Sequence, residues 1–220
     1  MRQLLAEDDF VMNSPVSEKP VVYVVDDDDS LRKAVTRLLH ASGFEVRAYA
    51  SAGDFVLSDR DNRRGCVLLD VRMPGPSGLD LQEAMAKEEE PLPVIFLTAY
   101  GDAPTIVRAM KSGADDFLTK PIKREALLNA VRAALARDIQ LHTSREQLRD
   151  LRVRFAKLTP REREVLELVV TGRLNKQIAA ELGIAVRTVK VHRAQAMIKM
   201  RATSLAELVH FAHKMRSADM

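Results

Sequence analysis

Five polar residues stand where apolar runs end. Asp26 and Asp27 follow VVYVV, Asp70 follows CVLL, Thr98 closes VIFLT, and Lys120 comes just after the run over 115–118. If the fold brings them together, three carboxylates would share a small space. They repel one another, and an enclosed cluster of that kind is costly unless a cation compensates. Ligands that offer only oxygen favour a hard ion, and Mg2+ takes one or two carboxylates while keeping several waters. Asp27 and Asp70 suit direct ligation, with Asp26 acting through water. A carboxylate beside Mg2+ is also a competent nucleophile toward phosphorus, forming an acyl phosphate. Lys120 and the metal would neutralise the phosphoryl charge, and the Thr98 hydroxyl would donate to a phosphoryl oxygen. The chain has no G-x-x-x-x-G-K-[ST] loop, so the phosphoryl donor is not expected to bind as a nucleotide.

The elements around these residues make such a meeting reasonable. Residues 21–25 form a short apolar run rich in β-branched side chains, which reads as a buried parallel strand. Leu31, Val35, Leu38 and Leu39 then recur at helical spacing up to Gly43. The alternation continues with strand FEVRAY, a helix over 51–58, strand CVLL, a helix over 79–87, strand VIFLT, a helix over 103–112, a strand over 115–118, and a helix from 123. Strands and helices in strict alternation predict an α/β doubly wound domain on a five-stranded parallel sheet. Ligands of such sheets bind at the carboxyl edge of the strands, where the five polar residues lie.

The second part of the chain differs. Residues 1–136 hold 17 Lys and Arg against 22 Asp and Glu, a balance of −5; residues 137–220 hold 17 against 9, or +8. A basic module favours a polyanionic partner. From Pro121 to about Leu158 the sequence is helical, and Leu148, Leu151, Phe155 and Leu158 make an apolar seam. That seam could pack on its own domains or pair two chains. Beyond it, Thr159, Pro160 and Glu162 form a helix start with a capping box. Gly172 ends that helix, Asn175–Leu182 is a second, Gly183 ends it, Val186–Met200 is a third, and Ser204 caps a fourth. Two short helices joined at Gly183-Ile184-Ala185 read as helix-turn-helix.

VVDDD, LLDVRMPGPSG, FLTAYGD and GADDFLTKPI resemble the motifs of two-component response-regulator receivers, a flavodoxin/CheY-like fold, over residues 20–136. The resemblance implies that Asp70 is the phospho-acceptor and that Asp26 and Asp27 are the acidic pair. It implies that Arg72 lends a backbone carbonyl to Mg2+, that Thr98 and Lys120 hold the phosphoryl group, and that Phe117 is the aromatic switch residue. It also implies a cis Lys120-Pro121 bond. Residues 158–213 resemble the LuxR-type four-helix module of the NarL/FixJ regulators, through LTPREREVLELVVTGRLNKQIAAELGIAVRTVKVHRAQAMIKM. The order of the modules is that of the FixJ-like group. By that resemblance 186–200 enters the major groove of DNA, and 205–212 belongs to a helix that pairs two such modules.

On the recognition helix, Val189, Ala196 and Met200 can face inward, leaving Arg187, Lys190, Val191, Arg193 and Ala194 near the opposite side. Arg or Lys can bond guanine edges and Val191 can touch a thymine methyl. Thr188 near the helix start can bond a phosphate, Lys176 and Lys199 read as phosphate contacts, and His192 as a packing or phosphate residue. Some relatives carry a basic residue where this chain has Ala194, so Arg193 is expected to take more of the reading.

The expected organisation is therefore a flexible leader (1–19), a receiver (20–136), a helical linker (137–157), and a separate all-α four-helix LuxR-type helix-turn-helix domain (158–220). The expected activity is transcriptional regulation rather than enzymatic turnover. The implied partners are a sensor histidine kinase, double-stranded promoter DNA, RNA polymerase, and a second copy of the chain once phosphorylated. A phosphatase that uses Asp70 as a turnover nucleophile, or a scaffold whose basic helices bind protein, are the rival readings. A hydrophobic fraction of 46% and a charged fraction of 30% fit a water-soluble chain with no membrane partner. The single Cys66, set in an apolar run, excludes an internal disulfide and fits a reducing cytoplasm. Tyr100 and Arg72, two positions beyond Thr98 and Asp70, are expected to flank the path of hydrolytic water.

Overall fold

The computed structural model describes residues 19–58, 64–99 and 103–217. The expected leader, except Lys19, and Tyr100 lie outside them. The chain divides into two compact units between Ile139 and Gln140.

The first unit carries β1 (Val21–Val25), α1 (Asp29–Ala41), β2 (Glu45–Tyr49), α2 (Ala52–Leu57), β3 (Gly65–Asp70), α3 (Gly78–Met85), β4 (Val94–Thr98), α4 (Ala103–Lys111), β5 (Asp116–Thr119) and the start of α5 (Arg124–Ala156). The strands lie in the order β2-β1-β3-β4-β5, and every pair is parallel. Successive side chains of a strand point to opposite faces, and the core follows that rule. Val21, Tyr23 and Val25 face Phe55 of α2 and Leu79, Leu81 and Met85 of α3. Val22 and Val24 face Val35 and Leu39 of α1 and Leu127, Val131 and Leu135 of α5. Both faces of the sheet are covered, which is why the inner strands read as unbroken apolar runs. Each fully buried Val, Leu or Phe side chain contributes roughly 1.5–3 kcal/mol.

Local chemistry sets the ends of the helices that frame the site. The Asp28 carboxylate accepts hydrogen bonds from the backbone N–H groups of Ser30 and Leu31, so it caps α1, and Asp29 sits in the first turn where the helix dipole favours an acid. Ser77 and Asp80 close a capping box on α3. A side chain at Gly78 would put its Cβ 2.0 Å from the carbonyl oxygen of Asp70, so only glycine lets α3 start directly beneath the end of β3.

The segment expected as a linker over 137–157 is part of one continuous helix, α5. In the first unit Asp138 pairs with Arg64 at 3.0 Å and Arg137 with Asp115 at 2.7 Å. In the second unit Leu151 and Phe155 of α5, with Leu158, join the core formed by α6 (Pro160–Val170), α7 (Asn175–Leu182), α8 (Val186–Met200) and α9 (Leu205–Ser217). Three of the four seam residues, Leu151, Phe155 and Leu158, thus pack within the chain. Among the described residues no helix is long and apolar enough to cross a membrane.

In the second unit Thr159 Oγ1 accepts from Glu162 N, and Glu162 Oε2 accepts from Thr159 N at 2.8 Å, as a capping box requires. Gly183 ends α7 in the left-handed region at φ 65°, which makes the sharp turn into α8. Arg201 ends α8 at φ 53°, where a side chain costs about 1–2 kcal/mol.

Candidate functional site

Sheet order and register assemble the first site. β1 and β3 are neighbours, and their last pair is Val25 with Leu69, so Asp26 and Asp70 leave the sheet side by side. β4 flanks β3 on the other side, and Thr98 at its end pairs with Thr119, one residue before Lys120. Asp26 is 0% exposed and Asp70 is 7% exposed. Lys120 Nζ donates to Asp26 Oδ2 at 2.9 Å and to Asp70 Oδ2 at 3.0 Å, across 94 and 50 positions of sequence. The Lys120-Pro121 bond is cis, and Lys120 N donates to the Thr98 carbonyl at 2.6 Å. Asp26, Asp27 and Asp70 each offer a carboxylate oxygen within 4.8 Å of the others, and Asp27 is the exposed member. An all-oxygen set of this kind suits a hard divalent cation.

Burial raises the Asp70 carboxyl above its ordinary pKa; the bond and charge of Lys120 oppose this, and the like charge of Asp26 adds to it. For Lys120, burial disfavours the charged form, but the bonds to Asp26 and Asp70 together outweigh it and the pKa is raised. The ammonium is therefore held charged between two acids. Arg72 N approaches Asp70 Oδ1 at 3.4 Å, and the Arg72 side chain is exposed. Thr98 is buried at the same edge. Phe117 is half-buried against Phe96, with ring centroids 6.1 Å apart. The fold thus brings Asp26, Asp27, Asp70, Thr98 and Lys120 to one edge, with Arg72 and Phe117 beside it.

The second site is the solvent face of α8. Val189, Ala196 and Met200 are buried, as their spacing implies. Arg187, Lys190, Val191 and Ala194 are exposed, while Thr188, His192 and Arg193 are half-buried. Lys176 is exposed on α7. Of the cations expected to meet DNA, Arg193 and Lys199 have partners within the unit. Arg193 Nη1 lies 3.4 Å from Asn175 Oδ1 on α7. Lys199, expected to meet phosphate, donates to both carboxylate oxygens of Glu162 at 2.9 and 2.6 Å. Glu162 is buried and depressed in pKa by Lys199 and by Thr159. One carboxylate therefore caps α6 and holds the last turn of α8.

Sequence reasoning did not find the partners of these groups. Arg32, whose guanidinium bonds the Asp26 carbonyl at 2.6 Å, had no motif to mark it. Neither had the Glu162–Lys199 pair, although Glu162 was legible as a cap. Gly78 closes the LLDVRMPGPSG motif, but its contact with Asp70 is tertiary.

Residues 22–132 match the response regulator receiver domain, and residues 156–212 match the luxR family of bacterial regulatory proteins. Nodulation protein W of Bradyrhizobium diazoefficiens is 46% identical over 91% of this chain and 88% of its own length. The transcriptional regulatory protein FixJ of Azorhizobium caulinodans is 45% identical over 87% of this chain and 90% of its own. Among solved structures, the response regulator StyR is 47% identical with a TM-score of 0.78, covering 89% of this chain and 99% of that one. Full-length FixJ from B. japonicum is 39% identical with a TM-score of 0.55, covering 90% and 98%. The chain therefore belongs to the FixJ-like group of two-component response regulators, transcriptional regulators that join a receiver domain to a LuxR-type DNA-binding domain.

Proposed function

We propose that Asp70 accepts a phosphoryl group from a sensor histidine kinase and that the phosphorylated chain binds promoter DNA as a dimer through α8. The observation that carries this reading is the Lys120 ammonium shared by Asp26 and Asp70, which sets a permanent cation beside the acceptor. An Asp70 carboxylate oxygen attacks phosphorus, the bond to the donor nitrogen breaks, and an acyl phosphate forms. Lys120 and the buried Thr98 stand where the charge of the transferred group develops. The donor set fits Mg2+, with Asp27 and Asp70 as direct ligands, Asp26 acting through water, and Arg72 offering its carbonyl. When bound, the metal supplies charge neutralisation to the incoming phosphoryl group. Phe117 follows the Thr98 and Lys120 positions and alters the surface beside β5.

On the second unit, Arg187, Lys190, Val191 and Arg193 read base edges, while Lys176, Thr188 and His192 fix the helix on the phosphates. Lys199 is assigned to Glu162 first, and phosphate comes second. Contact with RNA polymerase, residence in the cytoplasm and the absence of substrate turnover follow from the same reading. To move from 1:99 to 99:1 in favour of the binding-competent state, phosphorylation must supply about 5.5 kcal/mol. Gel filtration and salt-dependent DNA titration of the phosphorylated chain and of Asp70→Ala test the proposal. A larger species with tighter DNA binding is expected only where Asp70 is present and phosphorylated. Equal mass and equal affinity in both proteins reject it.

A further inference from the structure

The acidic pair leaves β1 on a short loop, and the placement of Asp27 depends on the peptide that joins it to Asp26. Among the described residues none donates a hydrogen bond to the Asp27 carboxylate, so its position depends on the backbone that carries it. That backbone is fixed on three sides. Asp26 N donates to the Tyr49 carbonyl of β2 at 3.2 Å, and Asp28 N donates to Asp26 Oδ1 at 2.9 Å. On the third side, Arg32 Nη1 donates to the Asp26 carbonyl oxygen at 2.6 Å. Arg32 is itself oriented, because Nη2 bonds Asp29 Oδ1 at 2.8 Å and its side chain is only 16% exposed. Its backbone N–H bonds the Asp28 carbonyl, which ties the guanidinium to the first turn of α1.

Resting on the metal-site reading above, we infer that Arg32 is a positioning residue for divalent-cation binding. It locks the Asp26–Asp27 peptide so that the Asp27 carboxylate meets that of Asp70. Simple electrostatics would give Arg32 the opposite effect. A cation this close to an acidic cluster opposes a second cation, so by charge alone its removal should tighten Mg2+ binding. By positioning, its removal should weaken binding, as loss of an outer residue that orients a ligand commonly does by 10–100-fold. The two accounts predict opposite signs.

The test is calorimetric titration of the full chain with MgCl2, since the sequence has no tryptophan to report binding by fluorescence. Arg32→Gln should bind Mg2+ about tenfold more weakly, with an unchanged far-UV spectrum. Lys33→Gln is the charge control, because Lys33 pairs with the same Asp29 but is exposed and makes no bond to Asp26. It should bind Mg2+ as tightly as the wild type, or more tightly. Unchanged or tighter binding by Arg32→Gln overturns the inference, as does a loss in Lys33→Gln equal to that in Arg32→Gln. Should Arg32→Gln fail to fold, Arg32→Lys decides on the same criterion, since it keeps the charge and loses the fork that spans Asp26 and Asp29. No titratable site in the wild type would remove the metal-site reading itself, and this inference with it.

Discussion

Replacing Lys120 with methionine removes the ammonium that Asp26 and Asp70 share and leaves two buried carboxylates facing one another. Their nearest oxygens lie within 4.8 Å. At an effective dielectric of about 20, the repulsion across that gap is about 3.5 kcal/mol, inside the 3–5 kcal/mol found when one partner of a buried ion pair is deleted. Protonating one acid is the alternative. Burial already raises the Asp70 carboxyl above its ordinary pKa, and losing Lys120 removes the group that opposes this, so one acid is the more easily protonated in the folded variant. In the variant the folded chain takes up a proton that the unfolded chain has already released, so stability is recovered as pH falls. Lys120→Met should therefore lose up to about 3.5 kcal/mol at pH 7, and less at pH 5. Urea denaturation followed by circular dichroism, with EDTA present to keep metal from substituting for the lysine, measures both. The same loss at the two pH values, or none at pH 7, refutes the reasoning.

Glu162→Gln should destabilise the second unit by about 1–2 kcal/mol, since it breaks a charged pair that is buried on one side only. The Glu162 pKa lies below its ordinary 4.5 when folded, so its contribution is present above pH 4.5 and is lost as pH falls through the depressed value; an acid-unfolding profile of Glu162→Gln parallel to the wild type rejects this. Cys66 is buried and its thiol is pushed up to about 12, first by burial and then by Asp138 and Asp115, so a thiol reagent at pH 8 should react only on unfolding. Prompt labelling of the folded chain would contradict that placement.

The sequence could be read where a local pattern has a single structural solution. VVYVV and CVLL are short apolar runs, the first strongly β-branched, and both prove to be inner strands. Edge strand β2 was legible for another reason, as its EVRAY segment sits between turn signals although most of it is exposed. The cap at Thr159 depends on a neighbour three positions away, so sequence reveals it. The acidic site was legible because its residues all occupy strand ends, and the sheet does the rest. The seam in α5 was not decidable, because Leu151, Phe155 and Leu158 have the same spacing whether they meet another chain or α6 and α8 of their own. Arg32, Lys199 and Arg64 were not legible either. A long cation carries no sign of which distant carboxylate or carbonyl it will reach, and Arg64 finds Asp138 across 74 positions.

The strand order has a consequence for synthesis. β1 is made first but lies between β2 and β3, and the ends of β3, β4 and β5 supply Asp70, Thr98 and the approach to Lys120. A nascent chain emerged only through Tyr49 carries Asp26 and Asp27 but neither Asp70 nor Lys120. Parallel strands are joined by long crossover connections, so each later strand becomes available only after the segment before it has been made. On the proposed reading, phosphoryl acceptance therefore has to wait until the chain has been made past β5 to Lys120.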